Sequence, residues 1–321
     1  MIRTRSRWPR RVAVLSSLTL SALLARAIPA QAVAQRATSI TRWSLTIDGP
    51  VVFVRSIEGG NLVGQVALEP QKELGPKKHL ANIAPEDISV AVGAGGRPLL
   101  DMVASALTGR PAPRDLTLTM TDLQTGRGSE RVFRGSVVNS WTVPTLDASS
   151  RSPAYFTIGL SPAAVVSRVI DHPLNAALGM KEKAWMASNF RVEMDGLDGN
   201  HVTRIDSFTV RMPLAGGRGD AARAQAVEIP NITITLADAG SASWSAWADD
   251  FLVNGKNSDA NEKNGAIILL SADLKTEMVR ITLGSCGLVR LAPAPLIVSV
   301  ERSATLVAEL YCEQIGLDAG K

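Results

Sequence analysis

Trp43-Ser44-Leu45-Thr46-Ile47-Asp48-Gly49 is an aromatic residue, two alternating aliphatics and an Asp-Gly turn, the pattern of a half-buried strand closed by a tight reversal. The same order returns as Phe190-Arg191-Val192-Glu193-Met194-Asp195-Gly196. Working outward, each copy is followed by an apolar strand and then by a helix with the same stripe. Leu99, Met102, Val103, Ala106 and Leu107 occupy i, i+3, i+4, i+7 and i+8, as do Trp244, Trp247, Ala248, Phe251 and Leu252, so each helix has one core-facing side. Asp122-Leu123-Gln124-Thr125 then follows the first helix as Asp273-Leu274-Lys275-Thr276 follows the second, each between strand-like runs. Repetition of this order implies an internal duplication.

Segments of alternating Thr, Val, Ile and Leu dominate elsewhere: Leu116 to Met120, Val132 to Val138, Ile232 to Leu236 and Ala266 to Leu270. Their short connections predict antiparallel pairing. The expected fold is mainly β with one amphipathic helix per unit, as two tandem sandwich or partial-barrel domains at 40–162 and 185–321, joined by a linker at 163–184. Pro98 suits the first turn of one helix and Ser243 an N-cap of the other, while Gly109 and Asn254-Gly255 suit their ends. The polar stretches Gln71 to Ala84 and Leu214 to Ala226 read as long loops.

Residues 1–34 hold Arg3, Arg5, Arg7, Arg10, Arg11 and Arg26, no acid, an apolar run from Val12 to Leu24 and small residues ending in Ala-x-Ala. That order predicts a cleaved secretory signal peptide, with Arg10-Arg11 fitting twin-arginine export, and hence a periplasmic or secreted protein without a stable membrane span. Losing those six arginines turns the formal charge of +4 into −2. The basic balance therefore belongs to the leader, and no nucleic-acid partner is expected. In an oxidising compartment the only two cysteines, Cys286 and Cys312, are expected to be bridged.

Polar motifs point away from catalysis. Gly93-Ala94-Gly95-Gly96 lacks the spacing of a phosphate cradle and reads as a connection. Asp195-Gly196-Leu197-Asp198-Gly199-Asn200 offers oxygens to a hard cation but has the composition of a tight turn. His79, His172 and His201 have no zinc spacing, and Arg218-Gly219-Asp220 is an adhesion tripeptide in a Gly-rich loop. No catalytic, metal or cofactor site is expected. Each of these motifs occurs in one half only, whereas strands, helix stripe and turns occur in both.

The repeated features resemble the tail-tube proteins of contractile phages and their relatives in contractile injection systems. The residues carrying the resemblance are Trp244-Ser245-Ala246-Trp247, Gly255-Lys256 and Glu262-Lys263-Asn264-Gly265-Ala266-Ile267-Ile268-Leu269-Leu270 in the second half. In the first half they are Ile47-Asp48-Gly49 and Val137 through Ala148, with Trp141, Pro144 and Leu146. The resemblance implies two packed sheets flanked by a helix, in subunits that form six-fold rings with a continuous inner barrel. Ring closure would also cover open sheet edges. Two units per chain would let three chains form a pseudo-six-fold ring. The expectation is an exported, non-enzymatic structural protein that associates with itself. The alternative is a soluble binding module presenting the two long loops to a glycan or envelope partner.

Overall fold

The computed structural model describes residues 41–71, 75–122, 127–171, 185–219, 222–294 and 304–320, so the expected leader lies outside the described residues. Ser39–Lys321 form one compact unit. The chain runs β1 (Thr41–Ile47), β2 (Val51–Val52), β3 (Ser56–Gly59), β4 (Leu62–Glu69), β5 (Lys77–Pro85), β6 (Ile88–Val92) and α1 (Arg97–Leu107). Then come β7 (Arg114–Asp122), β8 (Gly128–Val143), β9 (Leu146–Asp147), β10 (Phe156–Ser161) and β11 (Ala164–Ile170). The rest is β12 (Phe190–Met194), β13 (Val202–Ile205), β14 (Phe208–Arg211), β15 (Leu214–Ala215), β16 (Arg223–Ala224) and β17 (Ile232–Ala237). Helix α2 (Ala242–Ala248), β18 (Lys263–Leu270), β19 (Glu277–Pro293) and β20 (Thr305–Asp318) complete it.

Two curled sheets dominate. The first has the order β2-β1-β7-β8-β10-β6-β3, and β11 and β14 also pair with β8. Strand β8 serves four neighbours because it bends: its first half pairs with β7 and β11, its second with β10 and β14. The bend falls at Gly135, whose φ of +55° a residue with a Cβ would resist. The second sheet runs β12-β18-β19-β20-β17-β13-β9. Strand β19 bends at Ser285 (φ +48°), whose N–H is held by Asn264 Oδ1 at 3.1 Å. Each sheet borrows from the other half: β9 pairs with β13, and β14 with β8.

One apolar core joins the inner faces, because alternation along β1, β6, β10 and β17 turns every second side chain inward. At its centre Phe156 packs between Trp141 (centroids 5.7 Å apart) and Trp185 (5.2 Å). Helix α1 buries Leu99, Met102, Val103 and Ala106, with Leu107 packed at the core margin. Pro98 stands in its first turn, and Gly109, at φ +74°, follows its end.

In the second half, Trp244, Trp247 and Phe251 are buried but Leu252, expected on the same stripe, is 44% exposed. The cause is a π-helical turn over Asp249–Val253, closed by Asn254 N–H donating to Asp249 O at 2.8 Å. The wider turn keeps Phe251 beneath Trp247 and carries Leu252 round to solvent. The N-cap position is held by Ser241 rather than Ser243, whose Oγ instead accepts the Asp198 N–H.

Two expected irregular segments are strands. Most of Gln71 to Ala84 is β5, paired with β4, and 164–170 of the expected linker is β11, while 172–184 lie outside the described residues. Leu214 to Ala226 carries the small β15–β16 ladder. Cys286 and Cys312 face one another on β19 and β20 with their Cα atoms 4.0 Å apart, and are disulfide-bonded.

Candidate functional site

The most conspicuous surface is the arm formed by β4 and β5. Pairing of Leu62 with Pro85, Gly64 with Ile83, Val66 with Leu80 and Leu68 with Lys78 places these residues on one face. The other face carries Val63, Gln65, Asn82, His79, Glu69 and Lys77. A bulge beside Gln65 and Val66 takes up one extra residue of β5 and so keeps Leu80 and Ile83 on the same side. Gly64 leaves room there: a Cβ would lie 2.6 Å from the Leu80 Cδ2. On this apolar face Leu62, Val66, Leu68, Leu80 and Ile83 are 58–62% exposed.

The base of the arm is fixed to the body. Glu86 N–H donates to Asn61 O (2.7 Å), Asn61 Nδ2 to Glu86 Oε2 (2.9 Å) and Arg131 Nη1 to Asn61 Oδ1 (3.1 Å). Gly60 lies against the Phe133 ring, where a Cβ would be 2.5 Å from Cε1. The arm is thus a rooted projection with an amphipathic cross-section.

The polar motifs are occupied by turns and ion pairs. Asp198 accepts the Asn200 N–H (2.9 Å) and faces His201 Nδ1 (2.7 Å), which together lower its pKa, the Asn200 bond contributing most. Gly196 takes φ +71° in the same turn, and no three His, Cys, Asp or Glu converge as a metal site among the described residues. His79 lies on the arm, 3.8 Å from Glu69; His172 is outside the described residues. Arg218 pairs with Asp87 (2.9 Å) and donates to Pro162 O (3.2 Å), so the guanidinium of the tripeptide is engaged. Gly93 to Gly96 leads into α1, with Gly96 at its N-cap.

A polar hollow of about 520 Å³ lies beside α2, lined by Trp247, Asp250, Lys256, Glu262 and Lys263. Its charges are matched: Lys256 to Asp250 (2.7 Å), Lys263 to Asp195 O (2.9 Å) and over the Trp247 ring (5.6 Å), and Glu262 to Tyr311 Oη (2.6 Å). The Glu262 contact pushes the Tyr311 hydroxyl up to about 12, aided by burial. This arrangement brings together no nucleophile, base and orienting group. No helix among the described residues is long and apolar enough to cross a membrane.

Sequence reasoning missed the arm. The Leu62, Val66, Leu68 alternation and the Gly75-Pro76 turn signal were available, but the bulge puts Leu80 and Ile83 three apart and hides the period in β5.

No family model and no curated protein matches the chain. Among solved structures, it is similar to a chain of the anti-feeding prophage cap, which terminates that tube, at 16% identity over 40% of this chain and 89% of that one, with a TM-score of 0.36. A chain of the sheath–tube complex of the extracellular contractile injection system PVC, in its extended state, is 18% identical over 40% and 89%, with a TM-score of 0.35. A chain of the anti-feeding prophage baseplate is 14% identical over 40% and 92%, with a TM-score of 0.31.

Proposed function

We propose that this chain is an exported, non-enzymatic structural protein with a duplicated tail-tube-like fold, the copies spanning 40–162 and 185–321. Three chains close a pseudo-six-fold ring, and rings can stack into tubes. The observation that carries self-association is the apolar face of the arm. Moving a Leu, Ile or Val fully out of water is worth about 1.5–3 kcal/mol. A partner covering five such side chains gains several of those increments before association costs are met.

What supports duplication is the matching order of elements. Strand β1 pairs with β7 as β12 pairs with β18; α1 precedes β7 as α2 precedes β18; and β8 and β19 are each long strands with a residue of positive φ at the bend. The disulfide is in keeping with export, since such bonds persist in oxidising compartments. The alternative of a glycan-binding module is less favoured. The loop at 214–226 is pinned through Arg218, and the arm bears aliphatic side chains where a sugar platform would use aromatic ones.

Light scattering on the purified protein over a range of concentrations tests the reading, with negative-stain images of any assembled fraction. Rings or short tubes are expected. A strict monomer at high concentration would overturn it.

A further inference from the structure

Asparagine followed by glycine occurs twice in the chain, at Asn254-Gly255 and Asn264-Gly265. Such a pair is open to a reaction of the chain with itself, because glycine has no side chain to shield its own backbone nitrogen. That nitrogen attacks Cγ of the asparagine side chain, closing a five-membered succinimide and releasing the side-chain nitrogen as ammonia. Water then adds across either ring C–N bond, leaving aspartate or isoaspartate. The reaction needs a glycine N–H free of hydrogen bonds, an asparagine amide that is not pinned, and room to turn the peptide between them. Both asparagines are exposed, so exposure does not separate the two pairs.

Their surroundings do. Asn264 lies in β18, where its Oδ1 accepts the Ser285 N–H (3.1 Å) and its carbonyl accepts the Asp195 N–H (2.9 Å). Gly265 is paired with Met194 on one side and Leu283 on the other, and a Cβ there would stand 2.2 Å from Met194 Sδ. Asn254 instead follows the π-helical turn, outside every strand and helix. Gly255 takes φ +66°, a Cβ on it would meet nothing within 4 Å, and its N–H has no hydrogen-bond partner among the described residues. The Asn254 amide makes one long bond, from Nδ2 to Asp250 Oδ1 at 3.3 Å. To bring the Gly255 nitrogen onto Cγ, ψ of Asn254 must leave its value of −2°, which frays the end of the turn at the Lys256 N–H bond to Asp250 O (3.0 Å). The same rotation at Asn264 would break a ladder with strands on both sides. We propose that Asn254-Gly255 is a site of spontaneous hydrolytic modification, with water as the co-reactant, and that the sheet holds Asn264-Gly265 inert. The product alters its neighbourhood. A carboxylate at 254 repels Asp250, to which the amide donated, and competes for the Lys256 ammonium that now sits 2.7 Å from Asp250. Asp250 and Lys256 line the hollow beside α2, so the reaction adds negative charge next to that surface.

The test incubates the folded full-length protein in mildly alkaline buffer made with heavy-oxygen water and samples it over time. Trypsin cuts after Lys256, Lys263 and Lys275, so Asn254 and Asn264 fall in separate peptides and Asn257 in a third. Mass spectrometry reads the exchange of amide for acid in each peptide, and labelling by isoaspartyl methyltransferase reads the rearranged backbone. Residue 254 is expected to convert, partly to isoaspartate, at least about tenfold faster than residue 264, the factor that one or two net hydrogen bonds contribute. In urea-unfolded protein the two sites should react at similar rates, which assigns the difference to the fold. Asn254→Gln should abolish both signals in the first peptide and leave the second unchanged. Equal rates at the two sites in the folded protein would overturn the proposal. So would conversion of residue 264 first, or an unchanged residue 254 over the time in which the unfolded chain converts.

Discussion

Trp244 and Trp247 lie one helical turn apart in the same core, yet replacing each by phenylalanine should have different consequences. Trp244 is fully buried and its Nε1 donates to Asp198 O at 2.9 Å. Trp247 is 7% exposed and its buried Nε1 has no protein hydrogen-bond partner. Both changes remove the same volume, so the cavity cost is similar and cancels in the comparison. Trp244→Phe also gives up a hydrogen bond worth about 1 kcal/mol. Trp247→Phe instead removes a desolvated donor whose penalty is about 1–3 kcal/mol. Trp247→Phe should therefore be the more stable of the pair by about 2–4 kcal/mol. It keeps the edge-to-face contacts with Trp244 (6.2 Å) and Phe251 (5.7 Å) through the remaining ring. Truncation to alanine loses those too, and Trp247→Ala should cost about 3–5 kcal/mol. Urea unfolding followed by far-UV circular dichroism measures all three. Equal midpoints for the two phenylalanine variants, or a lower one for Trp247→Phe, would refute the reasoning.

Replacing Cys286 and Cys312 together by alanine reopens a connection of 26 residues and should cost about 3.5 kcal/mol on the chain-entropy model, read as a lower denaturant midpoint. Asp249→Ala, on the exposed side of the second helix, should change stability by well under about 1 kcal/mol in the same assay. Of the two tyrosines, Tyr311 should ionise late, near 12, in an ultraviolet absorbance titration. Its raised pKa means that the folded state holds the proton more tightly. The stability it contributes is complete below the unfolded value near 10 and fades as pH climbs through about 12, a loss that Tyr311→Phe should not show.

Many of the strands and the stripe of α1 were legible because their side chains obey the two simple periods, 2 and 3.6. Ile232 to Leu236 alternates buried and half-buried as its pattern predicts, and Leu99, Met102, Val103 and Ala106 face the core as their spacing predicts. Failures came where the period itself changes. A π turn displaced Leu252, and a bulge masked the apolar face of β5. Pairings between distant segments were illegible for another reason. Short strands such as β9 and β14 carry too few residues for a pattern, and their partners are set by tertiary packing rather than by local sequence.

The loan of β9 and β14 across the two halves has a bearing on how the chain can be cut. A fragment ending before Trp185 would keep β9 but lose the strand that β14 lays against β8, and its complement would expose the far side of β13. Each piece would then display a raw backbone edge and part of an unroofed core. Split at that point, the gene should yield two insoluble products that become soluble when expressed together, so the two halves behave as obligate partners that happen to share one polypeptide.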